Sequence, residues 1–161
     1  MTLEQLNTAD SKTVREQLLR CCGSEAWAND MLARRPFADS NALQSAAEHV
    51  WWALSQSAWI QAFSSHPRIG EKKAMSEWSA GEQSGIATAV DGTVRCLEDL
   101  NHRYESKFGW MFIVCATGKS ADEMKTSLER RIENTADDEI RIAAAEQAKI
   151  MRLRLQKLLA E

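Results

Sequence analysis

A histidine followed by proline is the first feature of the chain that suits acid/base chemistry. His66 precedes Pro67, Arg68, Ile69 and Gly70 and follows an aromatic-rich helical pattern. Proline fixes its own φ and disfavours the helical region for the residue before it, so we expect His66 at a rigid corner. A histidine whose direction is set by the backbone suits a general acid or base. Taken alone, these five residues favour a simpler interpretation, a helix terminator whose histidine hydrogen-bonds a loop.

A carboxylate is aligned with an apolar helical stripe after this corner. The stripe consists of Ile86, Val90, Thr93, Leu97, Leu100 and Tyr104. Its members are spaced by fours and threes, and extending the stripe back by four residues reaches Glu82. The spacing predicts a helix of about seven turns with Glu82 on its core-facing side, where burial would suit a working carboxylate. Ser79 and Glu82 also match a capping box, and on the sequence alone this structural role is preferred.

The last helical pattern carries a charged residue in its apolar stripe. The stripe consists of Ile140, Ala144, Gln147, Met151 and Leu158. Its gap falls at Arg154. A guanidinium is permanently charged and costly to bury unpaired, so the position predicts a carboxylate partner from the protein or from a ligand. The alternatives are that Arg154 extends to solvent at the rim of the core or forms a structural pair with Glu82.

Together these three residues supply an acid/base group, a hydrogen-bond acceptor and a carboxylate anchor. No metal site is predicted, because His102 falls opposite the apolar stripe and His49 has no companion at ligand spacing. The four cysteines also lack paired metal-ligand spacing. We interpret Cys21, Cys22, Cys96 and Cys115 as reduced, mostly buried thiols of a cytosolic protein, and a catalytic thiol stays open as the alternative.

Length and composition indicate one helical domain. The chain has 161 residues, 44% of them hydrophobic, with only 2 Pro and 7 Gly, and we expect residues 1–161 to form a single domain. The net charge of −3 argues against a nucleic-acid surface. The amino terminus does not resemble a signal peptide, and the longest apolar run, Trp110 to Ala116, is too short to span a bilayer.

Caps and apolar periodicity divide most of the chain into helices. The helix starts outside the central stripe are predicted at Thr2, Ser11, Ser24, Asp39 or Ser40, Ser55 or Ser57, Ser120 and Thr135. They predict an all-α bundle of about eight helices. The run from Trp110 to Ala116 is the one credible strand. Since a single strand has no partner, we expect an extended buried segment near residues 110–116.

The main-chain groups of this segment need hydrogen-bond partners. A polar heterocyclic ligand is one candidate. Side chains and water are at least as good an explanation on the sequence alone.

Five stretches resemble, in the same order, the 2-oxo-4-hydroxy-4-carboxy-5-ureidoimidazoline (OHCU) decarboxylase family of urate breakdown. They are Arg35-Pro36-Phe37, His66 to Gly70, Ser79 to Gln83 with Gly85 behind it, Phe108-Gly109 with Phe112 to Ala116, and Lys149 to Leu155. Each is short, but the five in register are specific. Many relatives carry Asp-Leu-Ala where this chain has Arg68-Ile69-Gly70, and the Arg form resembles a bacterial variant.

The resemblance implies an all-helical, cofactor-free lyase that converts OHCU into (S)-allantoin and CO2. It implies that His66 is the general acid/base, that Glu82 orients the ring, and that Arg154 holds the substrate by charge-assisted hydrogen bonds. The other residues implied to line the site are Pro67, Ser79, Ala80, Gly81, Gln83, Phe112, Ile113, Val114, Cys115 and Ala116. Main-chain groups of residues 112–116 would hydrogen-bond the heterocycle. The resemblance also implies a homodimer.

Two other classes stay open. One is a helical binding or scaffold protein that kept the fold without catalysis, against which the intact His66, Glu82 and Arg154 argue. The other is a related enzyme that acts on a different small carboxylated heterocycle. We expect a cytoplasmic location, since Leu159-Ala160-Glu161 is not a peroxisomal address.

Overall fold

Helices make up most of the described chain. A computed structural model describes residues 1–68, 77–82, 84–87 and 91–161. The helices are α1 (Leu3–Thr8), α2 (Ser11–Cys21), α3 (Glu25–Ala33), α4 (Ser40–Ala53), α5 (Gln56–Ser64), α6 (Glu77–Glu82), α7 (Ser84–Ala87), α8 (Asp91–Phe108), α9 (Ala121–Arg131) and α10 (Ala136–Ala160). No strand occurs within these residues, which confirms the predicted all-α class. No helix in the described ranges is long and apolar enough to cross a membrane.

The chain forms two compact units. Unit 1 contains Met1–Ala62 and Gln147–Glu161, and unit 2 contains Phe63–Glu146. Helix α10 contributes its first part to unit 2 and the remainder to unit 1. The expectation that residues 1–161 form one domain stays a prediction.

Unit 1 is built on capped helices around a tryptophan-rich core. Thr2 and Gln5 form a full capping box at the start of α1, and Ser24 and Asp39 cap α3 and α4 as predicted. Trp27 and Trp51 are fully buried, and Trp27 donates from Nε1 to the carbonyl of Ala47 at 3.1 Å. These tryptophans are therefore core anchors, whereas Trp52 is 47% exposed.

The Arg35-Pro36-Phe37 stretch organises the start of unit 1. Arg35 donates from Nη1 to the carbonyls of Leu6 and Ala9, at 3.1 and 3.0 Å. Phe37 exchanges two hydrogen bonds with the side-chain amide of Asn7, at 2.8 and 2.9 Å. The stretch thus satisfies main-chain groups at the end of α1.

Unit 2 packs α8 and α9 on a hydrophobic cluster. The cluster consists of Leu97, Leu100, Tyr104, Phe108, Phe112, Val114, Ala116, Ala121, Met124, Leu128 and Ile132. It confirms the predicted stripe at Leu97, Leu100 and Tyr104. The predicted helix of about seven turns corresponds to the helical runs α6, α7 and α8. Val90 and the side chain of Ile86 lie outside the described residues.

The capping box predicted at Ser79 is wrong. Helix α6 begins at Glu77, so Ser79 lies inside the helix and not at its N-cap. The Ser-x-x-Glu pattern therefore does not mark the helix start here. The same pattern holds at Ser120, whose hydroxyl accepts from the N–H of Glu123 at 3.1 Å.

Residues 111–116 form no helix, strand or turn, and most of them are buried, as predicted. Phe112, Val114 and Ala116 belong to the unit 2 cluster, whereas Ile113 and Cys115 do not. Since successive side chains of an extended chain point to opposite faces, this alternation fits the predicted extended conformation.

Candidate functional site

The His66 corner is a short non-helical stretch after α5. The N–H of His66 donates to the carbonyl of Phe63 at 3.2 Å, and His66 and Pro67 are half-buried. Arg68 donates to Glu105 of α8, from Nε to Oε1 at 2.8 Å and from Nη2 to Oε2 at 3.1 Å. This two-point pair fixes the chain beyond the corner to α8 and gives position 68 a structural role. Residues 69 and 70 lie outside the described part.

Glu82 is the buried carboxylate that the stripe predicted. It ends α6 and is only 8% exposed. Burial, then the negative charge of Glu146 and more weakly that of Glu82, raises the pKa of the Cys115 thiol. Glu82 thus contributes to the electrostatic surroundings of the Cys115 side chain. A thiol held protonated is a poor nucleophile, which argues against catalysis by Cys115.

The extended segment keeps main-chain groups available for a ligand. The carbonyl of Ile113 accepts from Nη1 of Arg131 at 2.6 Å, and the carbonyl of Ala116 accepts from the N–H of Lys119 at 2.9 Å. Among the described residues, no hydrogen bond reaches the main-chain groups of Phe112 or Val114. Since buried main-chain groups are nearly always paired, these groups are candidate ligand contacts.

A close contact at Gly85 holds α7 beside the end of this segment. A Cβ at Gly85 would lie 2.3 Å from the carbonyl oxygen of Lys119. Only glycine permits that approach. Lys119 also pairs with the buried Glu146, its Nζ lying 3.7 Å from Oε1. The turn after the extended segment is therefore fixed to α7 and α10.

Arg154 is buried in unit 1, as the gap in the last stripe predicted. The residue is 7% exposed, and its Nη1 donates to the carbonyl of Arg20 at 3.2 Å. Burial raises the pKa of the neighbouring Cys21 thiol to about 12, with the charge of Arg154 opposing that rise. The predicted stripe around it is also buried, at Ile140, Ala144, Gln147, Met151 and Leu158.

The structure distributes the predicted site residues over both units. Unit 2 contains His66, Pro67, Glu82 and residues 112–116, and unit 1 contains Arg154. Gln83 and the side chains of Ser79 and Ala80 lie outside the described residues. No group of three or more metal-binding side chains occurs among the residues that are described.

Sequence reasoning missed a second stripe on α10. Glu139, Ala143, Glu146 and Ile150 are spaced by fours and threes, and all four are buried. Glu139 is one of three acidic residues in the first turn of α10, a position that by itself does not indicate burial. The carboxylates of Glu139 and Glu146 both continue the spacing of an apolar stripe, and this spacing was the signal in the sequence that could have predicted their burial.

The fold and site define an all-helical protein with a buried carboxylate at Glu82 and a buried non-helical segment that has main-chain groups without a hydrogen bond among the described residues. The chain belongs to the OHCU decarboxylase family: the model described as OHCU decarboxylase matches residues 7–156. This confirms the predicted family.

Individual relatives agree with this assignment. The "Uric acid degradation bifunctional protein TTL" of Arabidopsis thaliana is 36% identical over 149 residues, which cover 88% of this chain and 46% of that protein. The chain therefore spans about half the length of this relative. The 2-oxo-4-hydroxy-4-carboxy-5-ureidoimidazoline decarboxylase of Halalkalicoccus jeotgali is 27% identical over 161 residues, covering 98% of this chain and 92% of that one.

A solved structure gives the same result. A crystal structure of OHCU decarboxylase in the presence of (S)-allantoin superposes with a TM-score of 0.81 and 33% identity. The match covers 91% of this chain and 99% of that one. The residue roles implied by the family resemblance stay predictions.

Proposed function

We propose that the protein decarboxylates OHCU to (S)-allantoin and CO2. The observation that carries the proposal is the buried Glu82 near an extended segment whose Phe112 and Val114 main-chain groups have no hydrogen bond among the described residues. A small polar heterocycle is the kind of ligand that such groups bind. The family match over residues 7–156 includes His66, Glu82 and Arg154 and supplies the substrate class.

The reaction requires the substrate to accept its own electron pair. The bond between the ring carbon and the carboxylate breaks, CO2 leaves, and the electron pair moves into the adjacent C=N unit. The enol-like anion then takes one proton at carbon, and its hydroxyl proton moves to the ring nitrogen that received the electron pair, which gives allantoin. Protonation on a single face produces one enantiomer, so the proton donor must have a fixed direction.

His66 is the proposed general acid/base. Its corner follows α5 directly, and the Arg68–Glu105 pair fixes the chain two residues later. General acid/base help contributes roughly 10²–10⁴-fold, so orientation and electrostatics must supply the rest. Glu82 is proposed to orient the ring, and Arg154 to hold the substrate's anionic group.

The proposal is tested by circular dichroism with freshly prepared OHCU, obtained by enzymatic urate oxidation and hydrolysis. We expect rapid growth of an optically active allantoin signal with the wild-type protein. His66→Ala should lower kcat by roughly 10²–10⁴-fold. His102→Ala, at an exposed histidine of α8, is the matched control and should keep full activity.

Three results would change the assignment. Unchanged rate and enantiomeric purity in His66→Ala would remove the role of His66. Slow racemic decay with wild-type protein that still binds (S)-allantoin would favour a binding protein. Turnover of another carboxylated heterocycle, detected as CO2 release, would favour a related enzyme.

A homodimer and a cytoplasmic location are also proposed. The family resemblance supports the dimer, and the free state of Cys21, Cys22, Cys96 and Cys115 supports a reducing compartment. Sedimentation equilibrium tests the first, and cell fractionation tests the second.

A further inference from the structure

We infer that the buried ion pair of Arg131 and Glu139 positions the extended segment 111–116 for ligand binding. The inference rests on the proposed function, because it assigns this pair a role in the same site. Neither residue was predicted from the sequence to take part in it.

Arg131 contacts the segment directly. It is the last residue of α9 and is 7% exposed. Its Nη1 donates to the carbonyl of Ile113 at 2.6 Å, and its guanidinium lies 4.5 Å from the ring centroid of Phe112. One side chain therefore fixes both a main-chain group and a side chain of the segment.

Glu139 fixes the direction of that guanidinium. Nε of Arg131 donates to Oε1 of Glu139 at 2.7 Å, and Nη2 lies 2.6 Å from the same oxygen. Glu139 is fully buried and also accepts from the Tyr104 hydroxyl at 2.6 Å and from Nδ2 of Asn134 at 3.0 Å. With this many fixed partners, the carboxylate holds Arg131 in one orientation.

The same network reaches the start of the segment. Nε1 of Trp110 donates to the Tyr104 hydroxyl at 3.1 Å. Trp110 and Ile113 therefore both connect to Glu139, one through Tyr104 and the other through Arg131. The chain is therefore fixed at Trp110, just before the segment, and at Ile113 within it.

Stability alone does not explain the pair. Desolvating two charges costs so much that well-packed apolar residues are often equally or more stabilising. The pair instead performs a task that apolar residues do not, which is to hydrogen-bond the main chain of a segment that has no neighbouring strand among the described residues.

The pair also selects which main-chain groups remain for a ligand. The carbonyl of Ile113 is already occupied by Arg131, so the main-chain groups of Phe112 and Val114 are the ones left for a ligand. These are the groups that lack a hydrogen bond within the described residues.

Arg131→Lys tests the inference. Lysine keeps the positive charge and loses the fork that joins Glu139 to the Ile113 carbonyl. Arg130→Lys is the matched control, since Arg130 is the exposed neighbour on the same helix. Leu128→Ala is a second control, because it weakens the cluster without removing a hydrogen bond of the network.

We expect kcat per folded molecule to fall by roughly tenfold to a hundredfold in Arg131→Lys. Amide hydrogen exchange should quicken at residues 110–116 more than elsewhere in unit 2. Arg130→Lys should match the wild type, and Leu128→Ala should keep kcat once the unfolded fraction is subtracted. Equal kcat per folded molecule in Arg131→Lys and wild type would make the pair merely structural and overturn the inference.

Two further arms keep the outcome decisive. If Arg131→Lys does not fold, Glu139→Gln replaces it, because glutamine keeps the shape and an acceptor for Tyr104 while removing the charge. We expect the same fall in kcat. An unchanged kcat in Glu139→Gln would contradict the inference. If the wild-type protein does not turn over OHCU, the proposed function fails by itself. In that case, amide hydrogen exchange at residues 110–116 tests the positioning role by itself. Unchanged protection of these residues in Arg131→Lys, or in Glu139→Gln if that variant replaces it, would overturn the positioning role.

Discussion

Two parts of unit 2 carry candidate site groups, and each is fixed by an arginine–glutamate pair. The corner at residues 65–68 is fixed by Arg68 and Glu105, whose side chains are 48% and 20% exposed. The extended segment at residues 111–116 is fixed by Arg131 and Glu139, whose side chains are only 8% and 0% exposed. The hydrogen bonds are similar in length, but the surroundings differ. Exposed pairs contribute about 0–1 kcal/mol, whereas breaking a buried pair costs about 3–5 kcal/mol.

The difference indicates two kinds of control over a site. The exposed pair is screened by salt, so its contribution to holding the chain beyond His66 depends on ionic strength. The buried pair is screened much less, so the segment is held in one arrangement. The experiments below compare how strongly the buried pair and the exposed pair contribute to the free energy of unfolding.

The largest effect is expected from Arg131→Met. The variant leaves the carboxylate of Glu139 buried without its cation, so the free energy of unfolding should fall by about 3–5 kcal/mol in urea denaturation. Arg130→Met, on the exposed neighbour, should stay within about 0.5 kcal/mol of wild type. Adding Glu139→Met to Arg131→Met should recover much of the loss. A loss below about 1 kcal/mol in the single variant would remove the contrast between the regions.

A smaller effect is expected from Tyr104→Phe. Loss of the hydroxyl removes one donor to Glu139 and one acceptor for Trp110, which should cost about 1–3 kcal/mol. Burial, then the hydrogen bond to Glu139, raises the pKa of Tyr104 above its ordinary value of 10.0. The folded state therefore keeps this proton above pH 10 while the unfolded state releases it.

The resulting pH dependence has a definite sign. The contribution of Tyr104 is complete below its unfolded pKa and is lost as the pH rises above it, by about 1.4 kcal/mol per pH unit. The difference in unfolding free energy between wild type and Tyr104→Phe should therefore shrink above pH 10. A difference that stays constant to high pH would show that Tyr104 does not retain its proton.

The smallest effect on stability is expected from Arg68→Ala. Because the pair with Glu105 is exposed, the free energy of unfolding should change by less than about 1 kcal/mol. Salt at about 1 M should abolish that difference while leaving the effect of Arg131→Met intact. Thermal and urea unfolding at low and high salt measure both. A salt-independent loss above about 2 kcal/mol would mean that the corner is fixed as firmly as the segment.

Local rules predicted much of the fold. Side-chain caps at Thr2, Ser24 and Asp39 start helices where the sequence indicated, because a cap needs only a few neighbouring residues. The same local pattern predicted a capping box at Ser79, and this prediction is wrong. The pattern is satisfied by residue types alone, but helix α6 already begins at Glu77.

Burial of charged residues was predicted only where one pattern made it visible. Arg154 interrupted an apolar stripe and is indeed buried. Glu139 and Glu146 lie on an adjacent stripe of the same helix and were missed, because α10 is buried on a wider arc than one stripe describes. The sequence indicates no role for Arg68, because its partner Glu105 lies 37 positions away.

By itself the sequence determined the all-α class, most of the helix caps, the buried non-helical segment and the family, since each depends on residues close in the chain or on short motifs in order. Tertiary structure decided which charges pair and which main-chain groups stay available. Arg131 meets Ile113 18 positions away, and Tyr104 meets Glu139 35 positions away. Such contacts depend on how α8, α9 and α10 pack, and the free energy of a buried charge depends on its surroundings rather than on its spacing in the chain.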